Sequence, residues 1–177
     1  ADGLAVHALV TTHLSAAAAM FSWILLEYLK NGKPSLVGAS TGLVAGLVAI
    51  TPGAGFVSTW SAVIIGLLVS PVCFYAIAIV KHKLGYDDAL DAFGCHGVGG
   101  IFGGIVTGLF TPPELALDPD NIGLIYGNPR LFLVTIAAIV FTIVWSAGMT
   151  FVLMKGISFF MPLRVSDREE VIGLDDT

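Results

Sequence analysis

Ala92-Phe93-Gly94-Cys95-His96-Gly97-Val98-Gly99-Gly100-Ile101-Phe102-Gly103-Gly104-Ile105-Val106-Thr107-Gly108-Leu109-Phe110 contains no Asp, Glu, Lys or Arg. It is as long as the roughly 20 apolar residues that a helix needs to cross the hydrocarbon core of a bilayer. One ionisable side chain, His96, stands inside it. An ionisable group at such a position is costly, and it marks a functional site by default. Such a run predicts a helix in lipid, arranged with others around an imidazole.

The rest of the chain agrees. Of 177 residues, 56% are hydrophobic and 12% charged, against about 25% charged in a soluble domain. The composition predicts an all-α membrane protein. Five apolar stretches, separated by polar or turn-rich breaks, are expected as transmembrane helices at about 4–29, 35–50, 56–80, 88–110 and 130–161. They make a transmembrane region over 1–162, followed by a tail at 163–177. Asp87, Asp88 and Asp91 fall in or before the first turn of the fourth stretch, where carboxylates suit free N–H groups and the helix dipole. The last stretch is longer than a perpendicular crossing needs, so it tilts or extends beyond the bilayer. No basic n-region or small-residue cleavage site is visible, so no signal peptide is expected.

Five alternating helices place Lys30, Lys33, Lys81, Lys83, Arg164 and Arg168 on the side of the C-terminus, with Lys155 near it; Arg130 alone lies opposite. Basic loops face the cytoplasm, so the tail is expected there. The acidic net charge of −5 and the lack of a basic patch with interleaved aromatics argue against nucleic acid as a partner. Cys73 and Cys95 both sit in apolar stretches and read as small core residues rather than a disulfide.

Small residues recur at spacings of three and four. Gly38, Gly42, Ala45, Gly46 and Ala49 do so in the second stretch, and Gly97, Gly100, Gly104 and Gly108 in the fourth. Such stripes bring helix backbones close in membranes. Near His96 they would also thin a helix wall and leave room for a narrow path.

Among the four histidines, His7 and His82 lie near the ends of their stretches and are expected to be solvated. His13 and His96 both lie deeper: His96 is about 12 Å past Asp88 if the helix is continuous. His13 has hydroxyl neighbours, whereas His96 has only glycine, cysteine and aliphatic ones, so its ring needs partners from other helices or a cavity. Desolvation disfavours the charged imidazolium. A neutral imidazole offers one donor and one acceptor; it can pass a small polar molecule or relay a proton without a permanent charge. No Ser-His-Asp arrangement appears at membrane depth and no His/Cys spacing makes a zinc site. The pattern points to a channel or transporter rather than an enzyme, with no cofactor.

The segment Asp87-Asp88-Ala89-Leu90-Asp91-Ala92-Phe93-Gly94-Cys95-His96-Gly97-Val98-Gly99-Gly100-Ile101 strongly resembles the signature of the ammonium transporter (Amt/Mep/Rh) family, closer to its Amt/Mep branch. So do Gly32-Lys33-Pro34-Ser35-Leu36-Val37-Gly38-Ala39, Gly42-Leu43-Val44-Ala45-Gly46-Leu47-Val48 and Thr51-Pro52. Thr142-Ile143-Val144-Trp145-Ser146 matches in the last stretch. Leu163-Arg164-Val165, Glu169-Glu170 and Gly173-Leu174-Asp175 match in the tail. The resemblance implies an eleven-helix fold whose first ten helices form two inverted five-helix repeats, and the chain looks like helices seven to eleven of it. It implies ammonium transport through a homotrimer with one pore per subunit in a prokaryotic plasma membrane. His96 matches the second histidine of the family's pore-lining pair; the first is absent from this chain. Asp88 and Asp91 match helix-start carboxylates that shape the inner vestibule, and Gly97, Gly100 and Gly104 the packing of the pore helix. His13 has no counterpart in the pore. The tail is implied to lie against the inner face and to respond to a PII-type regulatory protein.

Two other readings compete. One is an ammonium sensor on the same scaffold. The other is a redox protein in which His13 and His96 ligate one haem.

Overall fold

The computed structural model describes residues 3–173 together with Asp175; Leu174 of the tail motif and the terminal Asp176 and Thr177 lie outside them. All regular elements among the described residues are helical. The chain divides into two units, Ala1–Ala137 and Ala138–Thr177.

In the first unit, α1 (Gly3–Asn31) stops where Gly32 turns left-handed (φ +74°) and its N–H donates to the Tyr28 carbonyl at 2.9 Å. The loop then enters α2 (Leu36–Ile50). The Ser35 hydroxyl caps it, accepting from the Gly38 N–H at 2.9 Å. The Glu27 carboxylate of α1 accepts from the Ser35 N–H at 2.7 Å. Gly38 sits directly under that carboxylate, where a Cβ would collide with it. The Glu27 charge is thus used to fix the start of α2 against the end of α1.

α3 (Thr59–Leu84) carries a π-helical segment at Ala76–Lys81. α4 (Phe93–Phe110) opens with a π-helical turn at Phe93–Gly97. Two boundaries differ from the sequence expectation by more than three residues. α3 does not stop at residue 80 before its lysines but runs to Leu84, because cations suit the last helical turn and the stop signal is Gly85, left-handed at φ +64°. The helix expected from residue 88 begins at Phe93, because Asp91 is itself left-handed (φ +56°) and interrupts any helix through residues 88–91. Among the described residues, four helices are long and apolar enough to cross a bilayer: α1, α3, α4 and the later α5 (Arg130–Ser158). α2, with 15 residues, is about 22 Å long.

α1 lies antiparallel to α2 and parallel to α3, and hydroxyls tie the three together. Ser15 Oγ donates to the Gly46 carbonyl at 3.0 Å and Ser70 Oγ to the Ala19 carbonyl at 2.6 Å. Thr11 Oγ1 donates to the Ala54 carbonyl. Pro71 lies inside α3; lacking an N–H, it leaves the carbonyl four residues earlier without its helical partner. That carbonyl belongs to Leu67, and Ser22 Oγ of α1 donates to it at 2.9 Å. In lipid such a freed group must be satisfied from a neighbouring helix.

The buried core joins Ala19 and Trp23 of α1, Ala45 and Ala49 of α2, Val69 and Phe74 of α3, and Val106 of α4. Trp23 meets Phe74 edge-on, with ring centroids 5.3 Å apart. Cys73 and Cys95 are free and buried. α4 runs parallel to α2 and antiparallel to α3. Its closest approach to α2 is at Gly103, where a Cβ would overlap the Ala49 carbonyl. At its far end, Gly108 packs on the first turns of α5, 2.9 Å separating an added Cβ from the Phe132 Cα.

In the second unit, the remainder of α5 exposes its apolar side chains, and Phe141 stacks on Trp145 at 6.1 Å. The short α6 (Asp167–Ile172) starts with a capping box. Glu169 N–H donates to Ser166 Oγ, and the Glu169 carboxylate accepts from the Ser166 N–H at 2.8 Å. The Ser166 hydroxyl, donating to that carboxylate at 2.7 Å, and then the Ser166 N–H hold the Glu169 carboxyl below its usual pKa of 4.5. Arg164 Nη2 pairs with the Glu170 carboxylate at 2.9 Å.

Candidate functional site

His96 is the fourth residue of α4, inside the π-helical turn. The 12 Å of helix expected between Asp88 and His96 does not exist, since residues 88–91 form a turn. The expected enclosure differs as well: the His96 ring is exposed in this chain, and it opens into a cleft of about 550 Å³. No other described residue hydrogen-bonds to the ring. The cleft is walled by Val37, Ser40, Thr41 and Val44 of α2, with Leu90 and Cys95 beside His96.

The division of α2 into two faces explains this wall. Gly38, Gly42 and Gly46 recur every four residues and press against α1: a Cβ on Gly46 would lie 2.6 Å from the Ala19 Cβ, and one on Gly42 would strike the Trp23 Cβ. Val37, Ser40, Thr41 and Val44 occupy positions i, i+3, i+4 and i+7, which form another helical face. Sequence reasoning read the glycine stripe and missed the hydroxyl face, although that spacing was its signal.

The chemistry of the cleft follows from which donors are already used. Ser40 Oγ donates to the Leu36 carbonyl and Thr41 Oγ1 to the Val37 carbonyl, each at 2.9 Å. Each hydroxyl therefore retains lone pairs and no free proton. The cleft presents two acceptor hydroxyls, an imidazole with one donor and one acceptor, and aliphatic walls. That set suits a small neutral molecule richer in donors than acceptors.

Before the helix, the Asp88 carboxylate accepts from Ala92 N–H and from Phe93 N–H, both at 2.9 Å. It caps α4 from outside the helix rather than from its first turn. Lys81 Nζ, on α3, lies 2.8 Å from Asp91 Oδ1 and also donates to the Asp88 carbonyl. The Asp91 carbonyl accepts from Cys95 N–H at 3.0 Å.

The expected packing glycines are not equivalent. Gly104 is buried. A Cβ at Gly100 would be 4.0 Å from Val48 Cγ1, an ordinary contact, and one at Gly97 would meet the Phe93 ring of its own turn. The residue whose smallness sets the α2–α4 distance is Gly103, because it faces backbone rather than side chain.

The other histidines lie elsewhere. His13 is exposed, and its Nδ1 donates to the Leu9 carbonyl at 2.9 Å, within its own helix. His7 is not simply solvated as expected: its Nε2 donates to the Val57 carbonyl at 2.8 Å, tying α1 to the turn after α2. His82 is exposed. Among the described residues no three of His, Cys, Asp and Glu converge on a metal position. At the other end of α4, a second cavity of about 410 Å³ is lined by Pro52, Phe56, Thr107, Thr111, Leu131 and Thr135. Its three threonine hydroxyls donate within their own helices or helix ends.

Comparison with known proteins adds an independent line. The family model described as the Ammonium Transporter Family matches residues 1–177. An ammonium transporter of Bacillus subtilis is 48% identical over 176 residues, covering 99% of this chain and 43% of its own length. The ammonium transporter Amt1 of Archaeoglobus fulgidus is 39% identical, with 99% and 44% covered. The crystal structure of Saccharomyces cerevisiae Mep2 superimposes with a TM-score of 0.86 at 34% identity, over 94% of this chain and 39% of that one. A structure described as a sensor Amt protein also gives a TM-score of 0.86, at 26% identity, over 98% and 42%. The chain thus spans about two fifths of the length of the relatives it matches.

Proposed function

The chain belongs to the ammonium transporter family, and from that premise we propose that it forms part of an integral membrane protein that carries ammonium across the bilayer. The observation that supports this most directly is the His96 cleft, whose acceptor hydroxyls and imidazole suit ammonia. A cation entering a dry, narrow path loses hydration at a cost of several kcal/mol. Ammonium avoids that cost by giving up its proton before passage; potassium cannot. Ammonia then donates to Ser40, Thr41 or the acceptor nitrogen of His96 and accepts from the ring's N–H. The proton is relayed separately along imidazoles.

In the whole protein, further helices close the open side of the cleft into a conduit, and three copies assemble with one conduit each. Asp88 and Asp91 shape the mouth on the cytoplasmic side. The C-terminal tail lies on the cytoplasmic side of a plasma membrane, an orientation that the basic loops support, and a PII-type protein docks there. Membrane lipid surrounds the apolar face of α5.

The test is His96→Ala in the whole protein reconstituted into vesicles. Selective ammonium flux is expected to vanish; unchanged flux rejects the assignment. The likeness to a sensor Amt protein supports a second reading, in which the scaffold detects ammonium. Binding without any flux in the unmutated protein would select it.

A further inference from the structure

We propose that Lys81 is a positioning residue for His96: a two-point staple from the end of α3 that fixes the turn on which the imidazole is mounted. The inference rests on the reading of His96 as a conduit residue and goes beyond it.

Asp91 has a φ of +56°, uncommon for a residue with a Cβ, though Asp and Asn tolerate it best. Left to itself, such a residue relaxes into the right-handed region, and the flanking helix can then extend through it. The two neighbours of this turn oppose that. Asp88 sends its carboxylate forward to Ala92 N–H and Phe93 N–H, while its carbonyl accepts from Lys81 Nζ. Asp91 sends its carboxylate to the same Nζ at 2.8 Å, while its carbonyl accepts from Cys95 N–H at 3.0 Å. One ammonium therefore holds both ends of the Asp88–Asp91 turn. The next backbone bond inward belongs to Cys95, the neighbour of His96.

Helical phase makes the position matter. Moving the start of a helix by one residue rotates every later side chain by about 100°. The His96 turn is π-helical, a form that holds an extra residue per turn and often marks functional sites. Relaxing Asp91 lets α4 gain a residue at its start and rewind this turn, which swings His96 away from Ser40 and Thr41. An exposed ion pair contributes little. Here the lysine is partly buried, with its side chain 21% exposed, and it serves two acceptors that no other described side chain reaches.

The experiment measures ammonium flux per transporter and discrimination against potassium in vesicles bearing the whole protein, for Lys81→Met, Lys81→Arg, Asp91→Gly and His96→Ala. Lys81→Met is expected to lower maximal flux per transporter by about tenfold or more and to erode discrimination, with the half-saturating concentration within about twofold of the parent. Lys81→Arg, which keeps several donors, restores most of the loss. Asp91→Gly removes the carboxylate, and glycine takes negative φ as readily as positive, so it folds even where Lys81→Met does not but has nothing to hold the turn left-handed; it too is expected to lower flux and discrimination. Parental flux and discrimination in folded Lys81→Met or in Asp91→Gly overturns the staple. If His96→Ala silences transport while those variants stay parental, only the staple fails. If His96→Ala itself transports selectively, the conduit reading fails.

Discussion

Removing the Ser22 hydroxyl should weaken the α1–α3 pair, and by an amount that depends on Pro71. Ser22 Oγ donates to the Leu67 carbonyl at 2.9 Å, the group that Pro71 deprives of its usual helical donor. Interhelical hydrogen bonds in membranes average about 0.6 kcal/mol and reach about 1.7. Their modest size reflects alternative partners in the unfolded-in-membrane state. The Leu67 carbonyl has no alternative while Pro71 is present, and in lipid, where water cannot replace the lost donor, an unsatisfied polar group costs about 1–3 kcal/mol. Ser22→Ala should therefore cost about 1.5 kcal/mol, about a tenfold change in the unfolding equilibrium. In a Pro71→Ala background, the new N–H at position 71 can bond to Leu67, and the cost of Ser22→Ala should fall to about 0.5 kcal/mol. The coupling of about 1 kcal/mol is read by a double-mutant cycle, using reversible unfolding in mixed micelles. Equal costs in both backgrounds would refute the reasoning, because the hydroxyl would then not be compensating for the proline.

Gly103→Ala places a methyl against the Ala49 carbonyl and should destabilise the protein by about 1–3 kcal/mol, the range for overpacking. Gly100→Ala, with its nearest neighbour at 4.0 Å, should be neutral within error; thermal unfolding in detergent compares the two, and a similar loss in both would contradict the assigned closest approach. The capping box of α6 makes a pH prediction. The folded Glu169 carboxyl lies below its ordinary value of 4.5. Its contribution is therefore present above that pH and is lost as pH falls through the lowered folded value. Amide exchange over residues 167–172 should accelerate, relative to intrinsic rates, as the pH drops below about 4.5, and Ser166→Ala should flatten that dependence.

Much of the architecture is legible in the residues. Uncharged runs of about 20 residues suit helices in lipid, because a helix satisfies nearly all of its backbone groups within its own segment. Gly32-Lys33-Pro34 is a break in any context. The glycine spacing of α2 names the face that meets α1. Helix starts and stops near charges were less legible. The residues place Lys81 and Lys83 beyond the third stretch and Asp88 in or before the first turn of the fourth, whereas the structure keeps both lysines inside α3 and starts α4 at Phe93. In both cases local composition is ambiguous: cations suit the last turn as well as the loop beyond it, and a carboxylate can cap from within or from before a helix. His7 read as solvated because its partner, the Val57 carbonyl, is 50 residues away.

The order of residues is enough to make this chain a set of membrane helices, to show which residues are too polar to face lipid without a reason, and to mark His96 as an ionisable side chain inside an uncharged stretch. Those conclusions depend on the cost of placing each side chain or backbone group in hydrocarbon, a property of the residue and its near neighbours. That Ser40 and Thr41 face His96, that Ser22 serves the carbonyl freed by Pro71, and that Lys81 holds both ends of the turn before α4 follow from packing alone. The first two join helices far apart along the chain, and the third joins the end of one helix to the start of the next. Their geometry is set by helical phase, and a single residue in a left-handed turn changes that phase without leaving a mark in composition or periodicity.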